Sequence, residues 1–102
     1  MTDSWDLWAH ARKGTYQHIG QKWWVEIHQL PDPVVPVTVT LVGDDAPDAT
    51  HWGWVSASGQ GRGRPEMIWA TRGAFDAQFT YGPEAEEKRG KGHVVRLRIT
   101  ER

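Results

Sequence analysis

The chain lacks cysteine, and it also lacks any long apolar run. None of its 102 residues is Cys, which excludes disulfides and thiolate zinc sites. No apolar stretch approaches the ~20 residues that a membrane helix needs, and the N-terminus lacks the basic-then-apolar pattern of a signal peptide. We therefore predict one soluble domain over residues 1–102, cytoplasmic and without a membrane partner.

A strong excess of charge of one sign is absent as well. Residues 1–50 carry three Lys/Arg against seven Asp/Glu (−4), and residues 51–102 carry nine against six (+3), which gives the net charge of −1. The second half is modestly basic, without the excess typical of a dedicated DNA-binding domain. This asymmetry predicts an anionic partner, either nucleic acid or an acidic protein.

Tryptophan, in contrast, is abundant, with seven residues in this short chain, and apolar residues alternate along much of it. The alternation predicts strands over 22–29, 34–42, 51–57, 67–71 and 75–81, and a last strand with Val95, Leu97 and Ile99 inward. Short helices are predicted over 4–13 and 82–90. We expect a mainly β (or α+β) fold: a small antiparallel sandwich or partly open barrel of about six strands, with one or two short helices.

Two strands carry more detailed predictions. Segments 22–29 and 34–42 are expected to form an antiparallel hairpin. Because Pro36 cannot donate to a ladder, the second of these strands should lie at an edge or begin its pairing late. On strand 51–57, Trp52 and Trp54 share one face, while His51, Gly53 and Val55 share the other. Both faces of this strand should therefore be partly covered.

The loop 58–66 contains the sharpest local motif. Its core Arg62-Gly63-Arg64-Pro65 resembles the AT-hook, a short motif that binds the minor groove of AT-rich DNA. The resemblance covers four residues and implies that Arg62 and Arg64 lie along a narrow, negative groove. The alternative is a flexible hairpin loop. Its glycines would then satisfy the backbone geometry of the turn, and its arginines would keep the loop soluble.

Further basic and aromatic side chains extend this candidate interface. The basic residues are expected to combine with the loop into one anion-binding face: Lys88, Arg89, Lys91, Arg96 and Arg98. Trp52 and Trp54, with Trp24 and Trp69, are candidates for an aromatic contact on which bases stack. The alternatives are ordinary surface charge for the cations and core filling for the tryptophans.

Other chemistry receives little support from the residues. Asp44, Asp45, Asp48 and His51 lack the spacing of a calcium loop, so a solvated acidic turn is the preferred interpretation. Glu26 and His28 share a predicted strand face and, with His51, form the weakest hypothesis, a small hydrolase or transferase. No catalytic motif accompanies them, and we predict neither a metal nor a cofactor.

The leading hypothesis is a small non-enzymatic accessory binding protein whose basic C-terminal half contacts an anionic partner. The alternative is a protein–protein interaction or self-assembly module, with a homo-oligomer as one form, that uses exposed Trp and a sheet edge.

Overall fold

The computed structural model describes residues 3–58 and 63–102, which form six strands and three short helices. In chain order the elements are β1 (Ser4–Arg12), β2 (Thr15–Gly20), α1 (Lys22–Glu26), β3 (Val34–Val42), β4 (His51–Ser56), β5 (Glu66–Trp69), α2 (Arg72–Asp76), α3 (Pro83–Lys88) and β6 (Gly92–Glu101). None of the described helices is long and apolar enough to cross a membrane.

All strands belong to one antiparallel sheet with the order β2-β1-β3-β6-β4-β5. The two outermost strands, β2 and β5, approach each other without pairing, so the sheet is nearly closed into a barrel. We call this unpaired approach of β2 and β5 the seam. The mainly β prediction is confirmed, with three short helices where one or two were expected.

The barrel interior is built by residues that alternate along the central strands. Val37 and Val39 of β3 and Leu97 of β6 are completely buried, and the same cluster takes side chains from β1, β2 and β5. Successive side chains of a strand point to opposite faces, so one face of each strand can fill the interior. The predicted inward faces of β3 and β6 are confirmed.

Pro36 does not mark an edge strand, because β3 lies in the middle of the sheet between β1 and β6. The ladder to β6 begins at Val37, directly after the proline. The Pro36 carbonyl accepts a hydrogen bond from the Arg102 amide at 3.0 Å. The missing N–H of Pro36 therefore lies at the end of the β3–β6 ladder. This agrees with the prediction that the strand begins its pairing late.

The N-terminal third departs from the sequence-based prediction. Residues 4–13 were predicted as a helix but form strand β1. Residues 22–29 were predicted as a strand in a hairpin with 34–42 but contain helix α1. Strand β2 was not predicted at all. Strand β1 places Leu7 and Ala9 in the interior, but His10 on its other face is also buried. Trp8 lies on that outer face three residues after Trp5, so the segment also fits a helical spacing.

The segment 75–81 is a second correction, since helix α2 occupies its start instead of a strand. The Thr71 hydroxyl accepts a hydrogen bond from the Ala74 amide at 3.2 Å and caps the helix. Phe75 and Phe79 pack together with ring centroids 5.2 Å apart, a contact that the four-residue spacing of a helix provides. Helix α3, with Pro83 in its first turn, is confirmed.

Candidate functional site

The outward arginines of β6 are engaged within the protein. The Arg96 guanidinium lies 3.7 Å from the centroid of the Trp52 ring. The Arg98 guanidinium lies 2.5 Å from the Asp48 carboxylate, and this hydrogen bond lowers the pKa of Asp48 below its ordinary value. These two predicted anion-binding residues therefore point together, as expected, but each already has a partner.

The other predicted cations lie at the opposite end of β6 and beside β5. Arg89 is 3.6 Å from Glu86, whereas Lys88 and Lys91 are exposed. Arg64 is half-buried next to β5, and Gly63 before it is exposed with a φ of +79°. Arg62 lies outside the described residues.

The two tryptophans that were predicted to contact bases pack against other side chains of the protein. Trp54 is only 4% exposed and packs on Phe79 with ring centroids 4.9 Å apart. Trp52 lies beneath Arg96 and also 4.9 Å from the Arg72 guanidinium. The expected coverage of both faces of β4 is confirmed, because the inner residue Gly53 is buried too.

Two aromatic rings other than Trp52 and Trp54 are exposed, and the sequence did not indicate either of them as a candidate. Trp23 on α1 is 67% exposed and Tyr81 before α3 is 73% exposed, with Met67 of β5 at 42%. Met67 lines one depression together with Trp23 and Arg64, and a second one together with Tyr81 and Lys91. We call these five residues the Met67 strip.

Beside this strip, the edge strands of the seam each carry a bulge. The β1–β2 register shifts between Trp8 and His10, and the β4–β5 register shifts between Trp52 and Trp54. On the edge strands the irregular positions include His18 and Met67, and both have a φ of +54°. Non-glycine residues rarely adopt this left-handed conformation, which costs on the order of 1–3 kcal/mol.

Both strained residues border the same cleft, which opens on the seam and has a volume of about 330 Å³. Its walls combine aromatic, imidazole, aliphatic and amide side chains, and none of them is Asp, Glu, Lys or Arg: His18, Ile19, Trp24, His28, Met67, Ile68, Trp69 and Gln78. The pKa of His18 is lowered by burial and then by the neighbouring His28 and His10. The cleft is therefore a largely aromatic site without carboxylate, ammonium or guanidinium groups in its lining. We call it the seam cleft.

Two buried histidines outside the cleft have structural partners. His10 is buried with its ring nitrogens 2.7 Å from the Val25 carbonyl and 3.0 Å from the Asp32 carbonyl. His51 is buried against Tyr16 and Thr50, and burial lowers its pKa. These contacts fasten α1 and the following turn to β1, and β4 to β2.

The acid–base hypothesis receives no geometric support. Glu26 is exposed and lies 3.9 Å from Lys22, whereas the Nδ1 of His28 donates to the Trp24 carbonyl at 2.8 Å. In the part of the chain that the structure describes, no three His, Asp or Glu side chains come together as a metal site.

Comparison with known proteins adds no assignment. No protein-family model matches this chain, and no curated protein or solved structure is significantly similar to it.

Proposed function

We propose that this protein is a small binding module for single-stranded nucleic acid, which it contacts through the Met67 strip. The observation that carries the proposal is the exposure of two large aromatic rings, Trp23 and Tyr81, next to basic side chains. Bases of any sequence stack on such rings, and each stacked base contributes about 1–3 kcal/mol. A single strand supplies unpaired bases, whereas a duplex keeps them inside.

The cations of the strip supply the second kind of contact. Among residues 3–58 and 63–102, neither Arg64 nor Lys91 has a carboxylate within ion-pair distance, in contrast to Arg72, Arg89 and Arg98. Each phosphate that such a side chain neutralises releases counterions, so binding weakens as salt rises. Two such contacts predict modest affinity and a shallow salt dependence, with a slope of log Kobs against log salt concentration of about −1.4.

Fluorescence anisotropy of a labelled single-stranded oligonucleotide tests the cationic contacts. Affinity should fall between about 50 mM and about 200 mM salt. The double variant Arg64→Ala/Lys91→Ala should bind more weakly and lose most of the salt slope. The matched control, Arg12→Ala/Lys13→Ala, removes the same charge from the β1–β2 turn and should bind like the wild type. Equal losses of affinity in both variants would show that binding depends only on the net charge of the protein.

The same titration tests the aromatic contact through α1. Trp23→Ala should weaken binding about 5- to 150-fold, the equivalent of one lost stacking contact. Ile27→Ala removes another exposed apolar side chain, 63% exposed, near the same helix, and should leave affinity unchanged. Tighter binding to an AT-rich duplex than to the single strand would instead support the AT-hook resemblance of residues 62–65.

A second candidate, a protein-interaction or self-assembly module, is favoured by the pair Trp23 and Ile27, which leaves an apolar surface in water. The sheet edge supports this candidate less, because β2 and β5 face each other across the seam. Sedimentation velocity distinguishes the candidates. A concentration-dependent dimer that Trp23→Ala/Ile27→Ala dissociates would favour self-assembly, and a monomer would favour the binding module.

A further inference from the structure

We propose that the seam cleft is a binding site for one uncharged, planar heteroaromatic ring of nucleobase size. This inference rests on the proposed function and deepens it: while the Met67 strip contacts the strand, the cleft takes a single base out of it. The observation behind it is that two strained bulges and two tryptophans border one cleft whose lining contains no Asp, Glu, Lys or Arg.

The lining of the cleft selects the chemistry of the occupant. Trp24 and Trp69 offer indole rings. The centroid of the His18 ring lies 6.3 Å from that of Trp24 and 6.0 Å from that of Trp69. With no Asp, Glu, Lys or Arg in the lining, a charged group would lose its hydration without gaining a partner. A neutral planar ring, in contrast, exchanges water for aromatic contacts.

Polar groups in the lining can recognise the edge of such a ring. The Gln78 amide nitrogen donates to the Ala74 carbonyl at 3.1 Å, which leaves its carbonyl oxygen as an acceptor and its second N–H as a donor. The Nδ1 of His28 is a donor to the Trp24 carbonyl, so its Nε2 is the ring nitrogen that remains for a ligand. Ligand sites typically combine such a few polar groups with an apolar wall, at volumes of about 300–1,000 Å³.

The backbone conformation of the seam also supports a binding site at the cleft. Bulges re-aim side chains, and they concentrate at barrel rims and next to active sites. Here one bulge on each edge strand brings a left-handed residue, His18 or Met67, to the same cleft. Met67 also belongs to the strip, so the cleft and the strip are continuous. A strand whose backbone follows the strip can therefore place one base in the cleft.

Ligand-observed saturation-transfer NMR with four uncharged nucleosides (adenosine, guanosine, cytidine and thymidine) tests the cleft apart from phosphate contacts. At least one nucleoside should bind the wild-type protein, with an affinity unchanged between about 50 mM and about 200 mM salt, because no ion pair forms. Trp69→Leu and, on the exposed side, Gln78→Ala should each weaken this binding at least about fivefold. Arg64→Ala/Lys91→Ala should leave it unchanged.

The outcomes separate this inference from the proposed function. Oligonucleotide binding without any nucleoside binding would overturn the cleft and leave the strip intact. Nucleoside binding that both Trp69→Leu and Gln78→Ala retain would place the site elsewhere and also overturn the cleft. Gln78→Ala keeps the test decisive if Trp69→Leu unfolds. Failure of both nucleosides and oligonucleotides to bind would remove both proposals.

Discussion

Gly53 shows how tightly single residues fix the barrel interior. A Cβ built on Gly53 would lie 2.6 Å from Cδ1 of Leu97 and 3.4 Å from Cβ of Pro65. Leu97 is completely buried, so it cannot move aside into solvent. This position faces the bulged part of β5, where Ile68 also approaches it.

Gly53→Ala should therefore lower the free energy of unfolding by about 1–3 kcal/mol, the usual cost of an overpacked core. Urea denaturation measures this loss. Gly43→Ala is the matched control, because a Cβ there meets nothing within 4 Å. Equal effects of the two substitutions would contradict the packing of the interior.

Histidine protonation gives a prediction at the same scale. Burial lowers the pKa of His18 and of His51 below the ordinary 6.5. The unfolded chain therefore binds these protons more readily than the folded protein. The stabilisation that the two neutral histidines contribute is fully present above pH 6.5. It is lost as the pH falls below 6.5 through the pKa values of His18 and His51 in the folded protein.

Thermal denaturation should accordingly show a falling Tm as the pH drops from above 6.5 into the acid range. His18→Asn retains a residue that tolerates the left-handed backbone and removes one titrating ring, so its Tm should fall less steeply. A Tm profile identical to that of the wild type would exclude His18 from the acid response.

Among the elements, the sequence predicts best those strands that bury one face only. In β3 and β6 the inward valines, leucines and isoleucine alternate with outward threonines and arginines, and the predicted strands match the structure. In β1 the inward Leu7 and Ala9 also alternate with outward residues, but the outward Trp8 follows Trp5 by three residues and imitates a helix. β2 was missed because the bulge at His18 interrupts its period.

The short helices were mispredicted for a related reason. α1 and α2 have five residues each, little more than one turn, so neither displays a helical period. Alternating residues such as Trp23, Val25 and Ile27 then imitate a strand. For α2 a usable signal existed in the four-residue spacing of Phe75 and Phe79 and in the capping Thr71.

Helix α2 offers a prediction of increased stability. Gly73 lies in its first turn, is exposed, and has open space around a built Cβ. Gly73→Ala should raise the free energy of unfolding by about 0.5–1 kcal/mol, because alanine loses less backbone entropy in a helix. A loss of stability in urea denaturation would contradict helix α2.

At the scale of the whole molecule, the candidate site depends on closure of the sheet. β2 and β5 are distant in the chain and meet only because four strands between them curve round, so no local pattern relates His18 to Met67. The sequence did indicate Arg64 and Lys91. It could not indicate Trp23 or Tyr81, because their exposure depends on how α1 and α3 pack against the barrel.

The seven tryptophans make the central claim directly measurable through their indole N–H signals in a ¹⁵N-edited NMR titration with a single-stranded oligonucleotide. Binding through the Met67 strip predicts that the signal of Trp23 shifts with saturation, while that of Trp52, which lies beneath Arg96, stays in place. A shift confined to Trp52, or seven unshifted signals, would contradict nucleic-acid binding at this surface.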